Sequence, residues 1–222
     1  MQDGLLARLI REVPPYRRAK AAGYVFDRDR ALSIGVELLL FNALSDLGIT
    51  EYEVIEGVNG KPFLKGRDVC FNLSHSGNRV MCSVAPEDVG CDVEEVKPTD
   101  IDIARMNFTD EEYSIIAVAP AGLKYDSFYR FWTLKESFLK ALGAGLGLEL
   151  DRFNIRLDDP IGVDQDADLR RFHFKEYHPD PVFRYAVCST CNKFCEKMIS
   201  VDMHKIAIKY LEGSSERSNS YR

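Results

Sequence analysis

The stretch FNLSHSGNRVMCSVAPEDVGCDVEE, residues 71–95, decides the fold expected of this 222-residue chain. Short apolar runs alternate in it with the turn signals SHSG and PEDVG, as is typical of strands joined by tight connections. The last run, GCDVEE, carries acids at alternate positions. Because successive side chains of a strand point to opposite faces, Asp92 and Glu94 are expected to share one face. Two adjacent carboxylates repel each other unless a cation lies between them, so this pair is the first candidate site.

Upstream of this stretch the pattern predicts helices and then strands. Residues 3–12 fit a short helix that ends at Pro14-Pro15, and residues 27–47 fit a longer helix with apolar residues at helical spacing. The runs EYEVIEG, DVCFNLSHS, RVMCSVAP and VGCDVEEV are strand candidates, and NGKP is a turn. The first half is therefore a helix or two followed by an antiparallel meander.

Downstream, the same order of helix and strands recurs. A capping-box pattern, Thr109 with Glu112, opens one helix, and residues 126–142 form the clearest helix of the chain, which ends at Gly143. The runs FNIRL, RRFHFKEYH, FRYAVCST and KMISVDM are later strand candidates. The polar segment 213–222 is predicted to be disordered. Together these elements predict an α+β fold.

Composition narrows the classes of function. The net charge of −6 argues against non-specific binding to nucleic acid. No apolar run approaches the roughly 18 to 20 residues that span a bilayer, and the N-terminus lacks a signal-peptide pattern. We therefore predict a cytoplasmic protein. Residues 1–30 hold seven Lys or Arg against four acids, which is either a solvated face or a local anion site.

The acids could hold a metal ion if a third group joined them. Oxygen ligands with little His or Cys nearby suit Mg²⁺, which usually takes one or two carboxylates together with water and phosphate oxygens. In FWTLKESFLKALG, the side chains of Trp132, Glu136 and Lys140 follow one side of the helix. Glu136 and Lys140 are either a surface ion pair or the carboxylate and ammonium that complete such a site.

Two further motifs carry candidate chemistry. Ser74 and His75 in SHSG could hold a phosphate, or the serines could simply cap a turn. A Ser–His nucleophile has little support, because no G-x-S-x-G elbow is present. The spacing of Cys188, Cys191 and Cys195 invites a zinc site, but it would need His204 as a distant fourth ligand.

The order of the motifs is more informative than any one of them. Five motifs follow one another between residues 60 and 146: G-K-P, F-N-L-S-H-S-G, G-C-D-V-E-E, F-T-x-x-E and F-W-T-L-K-E-S-F-L-K-A-x-G-x-G-L. In this order they closely resemble the 4′-phosphopantetheinyl transferases of the larger, surfactin-synthetase-activating type. The resemblance covers roughly residues 15–190.

The resemblance implies a reaction and an architecture. Members transfer the phosphopantetheine arm of coenzyme A (CoA) to a serine of an apo acyl, polyketide or peptidyl carrier protein. The reaction depends on Mg²⁺ and releases adenosine 3′,5′-bisphosphate. The implied fold is a pseudo-dimer of two similar halves, each a helix packed on a small antiparallel sheet, with CoA between them. The halves would be residues 1–97 and 98–212, and one chain that supplies both halves would be a monomer.

The resemblance also implies roles for particular residues. The metal ligands would be Asp92, Glu94 and Glu136, and Glu136 is also the candidate base for the serine proton. Lys140 would neutralise the CoA pyrophosphate, with Lys135 beside it. The other implied contacts with CoA are Ser74 and His75 at the phosphates, Gly60, Lys61 and Pro62 at the adenine, and Arg17, Arg18 and Arg30 around the 3′-phosphate.

The sequence leaves two alternative functions open and offers one candidate docking surface. A non-catalytic CoA-binding module would keep the cleft without turnover. A Mg²⁺-dependent nuclease or phosphatase would use the same acids, although the acidic net charge argues against it. The segment 97–108, with Met106 and Phe108 as apolar contacts, is the candidate surface for the carrier protein.

Overall fold

The computed structural model describes residues 3–57, 59–166 and 168–219 of the chain. Over these residues it contains helices and short antiparallel strands, as predicted. The helices are α1 (Asp3–Glu12), α2 (Pro15–Ala22), α3 (Asp27–Asp46), α4 (Asp102–Asn107), α5 (Asp110–Val118), α6 (Lys124–Leu142) and α7 (Met203–Asn219). The strands are β1 (Val54–Glu56), β2 (Pro62–Leu64), β3 (Cys70–Ser76), β4 (Arg79–Ala85), β5 (Val89–Glu95), β6 (Asn154–Arg156), β7 (Gly162–Asp164), β8 (His173–Tyr177) and β9 (Phe183–Ser189). None of the described helices is both long and apolar enough to cross a lipid bilayer.

The helices at the two ends of the chain share one hydrophobic cluster. Leu9 of α1 and Ile34 and Leu38 of α3 are fully buried, and they pack with Ala207 and Tyr210 of α7. The segment KMISVDM was predicted to be a strand, but α7 begins at Met203 and the residues before it form no regular element. Residues 213–219 of the predicted tail continue α7, and residues 220–222 lie outside the described residues.

Helix α2 was not predicted from the sequence. The pair Pro14-Pro15 was interpreted only as the end of α1, yet Pro15 begins a new helix. Proline is favoured in the first turn of a helix, because the amide it lacks would have no partner there and its fixed φ suits the helix. Helix α2 carries three basic residues, Arg17, Arg18 and Lys20.

Strand β5 departs from the predicted meander. Strands β3 and β4 pair as an antiparallel hairpin, but β5 pairs with β9, which in turn pairs with β8. A strand from the first 97 residues is therefore the edge of a sheet whose other strands come from the last third of the chain. Cys91 and Val93 are fully buried on one face of β5, and Asp92 and Glu94 lie on the other, as predicted.

Side chains of β3 accept hydrogen bonds from backbone amides of β5. The amides of Cys91, Val93 and Glu95 donate to side-chain oxygens of Asn72, Ser74 and Ser76 at 2.9, 3.3 and 3.2 Å. Both strands advance by two residues at each contact, so they run side by side in the same direction. Buried amides need a partner, and the alternating N-x-S-x-S pattern of β3 supplies it.

Helix α6 lies on β5 at very short range. A Cβ atom added at Gly90 would lie 2.1 Å from the carbonyl oxygen of Ser137 and 2.3 Å from the amide nitrogen of Ala141. Below the helix, Phe131, Leu134 and Phe138 are fully buried in the largest hydrophobic cluster of the described residues. Glycine at position 90 is therefore what allows the helix to approach the strand that carries the two acids.

Candidate active site

Two serines of β3 hold the two carboxylates of β5. The Ser74 hydroxyl donates to Asp92 Oδ1 at 2.8 Å, and the Ser76 hydroxyl donates to Glu94 Oε2 at 2.6 Å. Because each hydroxyl also accepts from a β5 amide, it is fixed in direction. The serines of the SHSG motif thus position the acids, a role that the sequence did not suggest for either of them.

Helix α6 contributes a cation to this cluster. Lys140 Nζ lies 2.6 Å from Asp92 Oδ1 and also reaches the Cys91 carbonyl oxygen at 3.3 Å and Ser74 Oγ at 3.4 Å. Burial lowers the pKa of Lys140, but the Asp92 carboxylate outweighs this and raises it. The ammonium is therefore charged at neutral pH. This contact brings α6, which the sequence predicted over residues 126–142, next to β5.

Two more carboxylates flank Asp92. Burial raises the pKa of Glu94 to about 7; the Asp92 charge adds to the rise and the Ser76 hydrogen bond opposes it. Burial also raises the pKa of Glu136, and Asp92 again adds to it, against the pull of Lys140. Lys140 and Lys97 both oppose the rise at Glu94. Three acids thus interact with two lysines, and the negative charge is incompletely balanced when all three acids are ionised.

This donor set fits a divalent cation. Over the described residues, no three His, Cys, Asp or Glu side chains already form a metal-binding group. However, Asp92 is only 3% exposed and its Oδ2 is buried without a hydrogen-bond partner in the structure. A buried carboxylate oxygen without a partner costs free energy, and a hard cation prefers oxygen ligands of this kind. The residues present therefore fit Mg²⁺.

A second group of charges surrounds His75. The imidazole is half-buried, and its pKa is lowered first by burial and then by the cations Lys20, Lys140 and Arg17. Tyr24, which follows α2, contacts the imidazole edge-to-face with ring centroids 6.4 Å apart. Asp29 opposes this shift, but the positive charges of the three cations exceed its negative charge at the ring, which favours an anion there. Lys20 was missed as a site residue, because the α2 helix that presents it was not predicted.

The three arginines that were predicted to surround the 3′-phosphate of CoA have different partners in the structure. Arg17 is 4% exposed, and its Nε donates to the fully buried Glu37 at 3.0 Å. This corrects its predicted contact with CoA, because a buried guanidinium paired with a carboxylate is not available to a ligand. Arg18 donates to the carbonyl oxygens of Arg11 and Val13, and Arg30 pairs with Asp27 at 2.7 Å.

A different arginine reaches the SHSG turn. Arg28 donates to the Gly77 carbonyl oxygen at 2.8 Å, which ties the start of α3 to the end of β3. The sequence gave no signal for this contact beyond the local excess of basic residues. The acid Glu37 did carry a signal, because it interrupts the apolar pattern IGVELLLF and so points to a buried partner.

The predicted adenine wall lies next to the end of α6. Gly60 has a φ of +76°, and Pro62 begins β2. Lys61 Nζ donates to the Ala141 carbonyl oxygen at 2.9 Å and lies 3.6 Å from Asp88. The ammonium of Lys61 is thus engaged with the helix, while the role of this loop toward CoA stays a prediction.

Lys135 belongs to the core and not to the site. Its side chain is fully buried, and Nζ lies 2.7 Å from Glu112 and 2.6 Å from the Phe153 carbonyl oxygen. Burial lowers its pKa to about 8, so the ammonium is charged at neutral pH. Lys135 cannot contact CoA from this position. The prediction therefore needs correction: position 135 follows the buried side of α6, next to Leu134.

Comparisons with known proteins agree with the motifs. Residues 88–188 match the profile of the 4′-phosphopantetheinyl transferase superfamily. A 4′-phosphopantetheinyl transferase of Bacillus subtilis is 33% identical over 196 residues, which cover 85% of this chain and 87% of the relative. The chain belongs to this family. The resemblance predicted from the motifs is confirmed.

One further relative of this transferase supports the larger, surfactin-synthetase-activating type. The 4′-phosphopantetheinyl transferase Sfp of Bacillus subtilis strain 168 is 29% identical, over 90% of this chain and 92% of the relative. A holo-(acyl-carrier-protein) synthase from Bacillus anthracis, solved in complex with CoA (3′,5′-ADP), is 17% identical. It aligns over 46% of this chain and 92% of its own with a TM-score of 0.40.

Two further predictions concerned a docking surface for the carrier protein and a zinc site. Met106 is 71% exposed, as a docking contact requires, but Phe108 is 4% exposed and stacks on Phe128, so its predicted role as a contact is wrong. Cys188 is buried in β9, and no metal-binding group that includes it occurs among the described residues.

Replacing Lys135 by methionine is expected to destabilise this transferase by about 3–5 kcal/mol, because Glu112 would be left charged and buried without its partner. Glu112 also accepts from the amides of Ile155 and Thr109, at 2.7 and 3.0 Å, so it joins α5 to β6 as well as to α6. Urea unfolding would measure the change in the free energy of unfolding.

The control Arg152→Met removes an exposed arginine paired with Glu149, and its free energy of unfolding should stay within about 1 kcal/mol of the wild type. Equal losses would contradict the buried-pair account.

Proposed function

We propose that this chain transfers the phosphopantetheine arm of CoA to a serine of an apo carrier protein, with Mg²⁺, and releases adenosine 3′,5′-bisphosphate. Family membership supports transferase activity. The observation that carries the assignment of the site is the contact of Lys140 with Asp92 at 2.6 Å, because it joins α6 to the strand that bears the acids. Around it lie an incompletely balanced set of carboxylates and a cationic site for an anion.

In the proposed reaction the protein mainly positions charge. Asp92, Glu94 and Glu136 would hold Mg²⁺, which would supply neutralisation of the pyrophosphate as charge develops on it. Lys140 would donate to the same phosphate oxygens, and its strongest contribution would come where the leaving group gains charge. His75 and Lys20 would receive another phosphate of CoA, and the neutral imidazole would gain a proton more readily beside that anion.

Glu136 is the proposed base for the carrier serine. Its pKa is raised by burial and by Asp92, which moves it toward neutral pH, where a carboxylate accepts a proton more readily. Its half-buried position on α6 keeps it within the electrostatic reach of both Asp92 and Lys140. The serine would lose its proton to this carboxylate, directly or through one water molecule.

The two halves proposed for the chain, residues 1–97 and 98–212, would act as a pseudo-dimer. Supporting this, α3 packs on β4 in the first half, and α6 packs on β9 in the second. Strand β5 crosses between them through its ladder with β9. The carrier would dock near Met106, on the segment that leaves β5, and we propose that one chain suffices as a monomer in the cytoplasm.

The test is a mass measurement on apo carrier proteins of fatty-acid, polyketide and peptide synthesis. Each carrier is incubated with the chain, CoA and Mg²⁺, and a gain of one phosphopantetheine arm on the carrier supports the proposal. No gain on any carrier, with tight binding of CoA, would instead indicate a non-catalytic CoA-binding module. Release of inorganic phosphate or nucleotides from generic phosphoesters would indicate a nuclease or phosphatase.

The stabilisation by Mg²⁺ is expected to grow with pH. The folded pKa of Glu94, about 7, exceeds its ordinary value of 4.5, so the metal-free folded state holds the extra proton between these values. Without metal, the contribution of Glu94 to stability therefore falls as pH rises from 4.5 to about 7. Mg²⁺ binds the ionised carboxylate, so the rise in melting temperature caused by Mg²⁺ with CoA should be larger at about pH 8 than at about pH 6.

The control for this measurement is Glu94→Gln, which removes the titrating group. It should reduce the difference between the two pH values. A Mg²⁺ effect that is equal at both pH values in the wild type, or larger at the lower one, would contradict the assignment of Glu94 as a ligand.

A further inference from the structure

The end of helix α6 is held from outside by the loop between β1 and β2. Asn59 Nδ2 donates to the Gly143 carbonyl oxygen at 3.0 Å, and Lys61 Nζ donates to the Ala141 carbonyl oxygen at 2.9 Å. The last carbonyl groups of a helix have no partner within it. Two of the carbonyl groups around this helix end therefore find their partners in a loop that lies 80 and 84 residues away in the sequence.

The charge of Lys61 suits this position. The C-terminus of a helix carries partial negative charge, and a cation there is stabilising. The helix ends at Gly143, whose φ of +74° closes it with a bond from the Gly143 amide to the Leu139 carbonyl oxygen. Lys61 thus serves as a helix cap contributed by another part of the chain.

The loop between β1 and β2 lies close enough to the end of α6 to restrict its position, in addition to placing the charge of Lys61 there. A Cβ atom at Gly145 would lie 2.9 Å from the Asn59 carbonyl oxygen, and one at Gly143 would lie 3.3 Å from Cδ of Lys61. The loop itself is closed by hydrogen bonds from the Gly57 amide to the Lys61 carbonyl oxygen and from the Gly60 amide to the Gly57 carbonyl oxygen, both at 2.9 Å. A closed loop against a glycine turn leaves the helix end little room to shift.

The clamped segment includes the residue next to Lys140. On one side, α6 meets the backbone of Gly90, where an added Cβ would lie 2.8 Å from the Lys140 carbonyl carbon. On the other side, the loop holds the carbonyl group of Ala141, the next residue along the helix. The direction of the Lys140 side chain toward Asp92 therefore depends on both contacts.

We propose that Asn59 and Lys61 are positioning residues that clamp the last turn of α6 and so set Lys140 against Asp92 for transfer. The inference rests on the proposed function, because it assigns Lys140 to the developing charge of the leaving phosphate. An interaction of that kind acts in the transition state, so its loss lowers kcat more than it raises KM. A direct contact between Lys61 and CoA would instead act on KM.

The test is the steady-state kinetics of two conservative variants. Lys61→Met keeps most of the stem and removes the cation, and Asn59→Asp keeps the shape but places an acceptor against a carbonyl oxygen. Each is expected to lower kcat roughly tenfold, the order expected from a small shift of a catalytic group, and to leave KM for CoA within about twofold.

The matched control lies on the same hairpin. Lys65→Met removes an exposed lysine that pairs with Glu53 at 2.9 Å and does not reach α6 in the structure. Its kcat is expected to equal that of the wild type. If Lys65→Met loses activity as Lys61→Met does, the effect is general to the hairpin, and the clamp is overturned.

Two other results for the Lys61→Met variant would overturn the clamp. A rise in KM for CoA with unchanged kcat in Lys61→Met would make Lys61 a ligand contact and overturn the clamp. A lower melting temperature with unchanged kcat would make the contact structural only and would equally overturn it. Failure of the proposed function is seen separately, because the wild type would then modify no carrier.

Discussion

Gly90→Ala is expected to abolish transfer and to destabilise the fold. The added Cβ would lie 2.1 Å from the Ser137 carbonyl oxygen, 2.3 Å from the Ala141 amide and 2.8 Å from the Lys140 carbonyl carbon. All three are backbone atoms of α6, so no side chain can rotate away to make room, and the helix must move. Overpacking of this kind costs about 1–3 kcal/mol and occasionally more.

The loss of activity should exceed the loss of stability. A displacement of about 1 Å at a catalytic group can cost roughly a hundredfold in rate, and here Lys140 and Glu136 move together with the helix. Urea unfolding and the mass-shift rate measure the two effects. Gly122→Ala is the control, because an added Cβ there has open space within 4 Å. A Gly90→Ala enzyme with normal rate would show that α6 need not lie so close to β5.

The substitution Asp92→Asn is expected to lower the transfer rate by at least about a hundredfold. The carboxylate is central to the cluster: Lys140 and Ser74 bind Oδ1, and the charge raises the pKa of both Glu94 and Glu136. Removing it withdraws a proposed metal ligand, and metal ions stabilise transition-state charge by several kcal/mol.

The amide keeps the size of the side chain, so Asp92→Asn should remain folded by circular dichroism. The pKa of Lys140 should fall, because Asp92 is the neighbour that most raises it. The same substitution at the exposed Asp46, which accepts from Asn42 at 3.2 Å on α3, is the control and should leave the rate unchanged. A fully active Asp92→Asn variant would remove the metal assignment.

The sequence predicted the local elements well, because their signals are local. Three features depend on neighbouring residues alone, and the structure shows each of them: the capping box at Thr109, the αL glycine at 143 and the two faces of β5. The partner of β5 could not be predicted in the same way. Pairing with β9 rather than β4 joins residues nearly 100 positions apart, and no periodicity within one strand encodes it.

The site was predicted in part for the same reason. Motif order indicated the acids and Lys140, but it could not separate a lysine at the site from a lysine in the core. Lys135 and Lys140 differ in which side of α6 they occupy, and only packing against Glu112 shows that the first is buried. Likewise, Arg17 is basic in sequence and unavailable in structure, because Glu37 lies opposite it.

The central claim is that β5 and α6 together form one metal site, and binding of Mn²⁺ as a substitute for Mg²⁺ tests it most directly. Electron paramagnetic resonance of the protein with CoA measures bound Mn²⁺ independently of activity. We expect one bound Mn²⁺ in the wild type and in Asp46→Asn, and binding weaker by at least about tenfold in both Asp92→Asn and Glu136→Gln. If Glu136→Gln bound Mn²⁺ as tightly as the wild type, α6 would not complete the site, and the account would be contradicted.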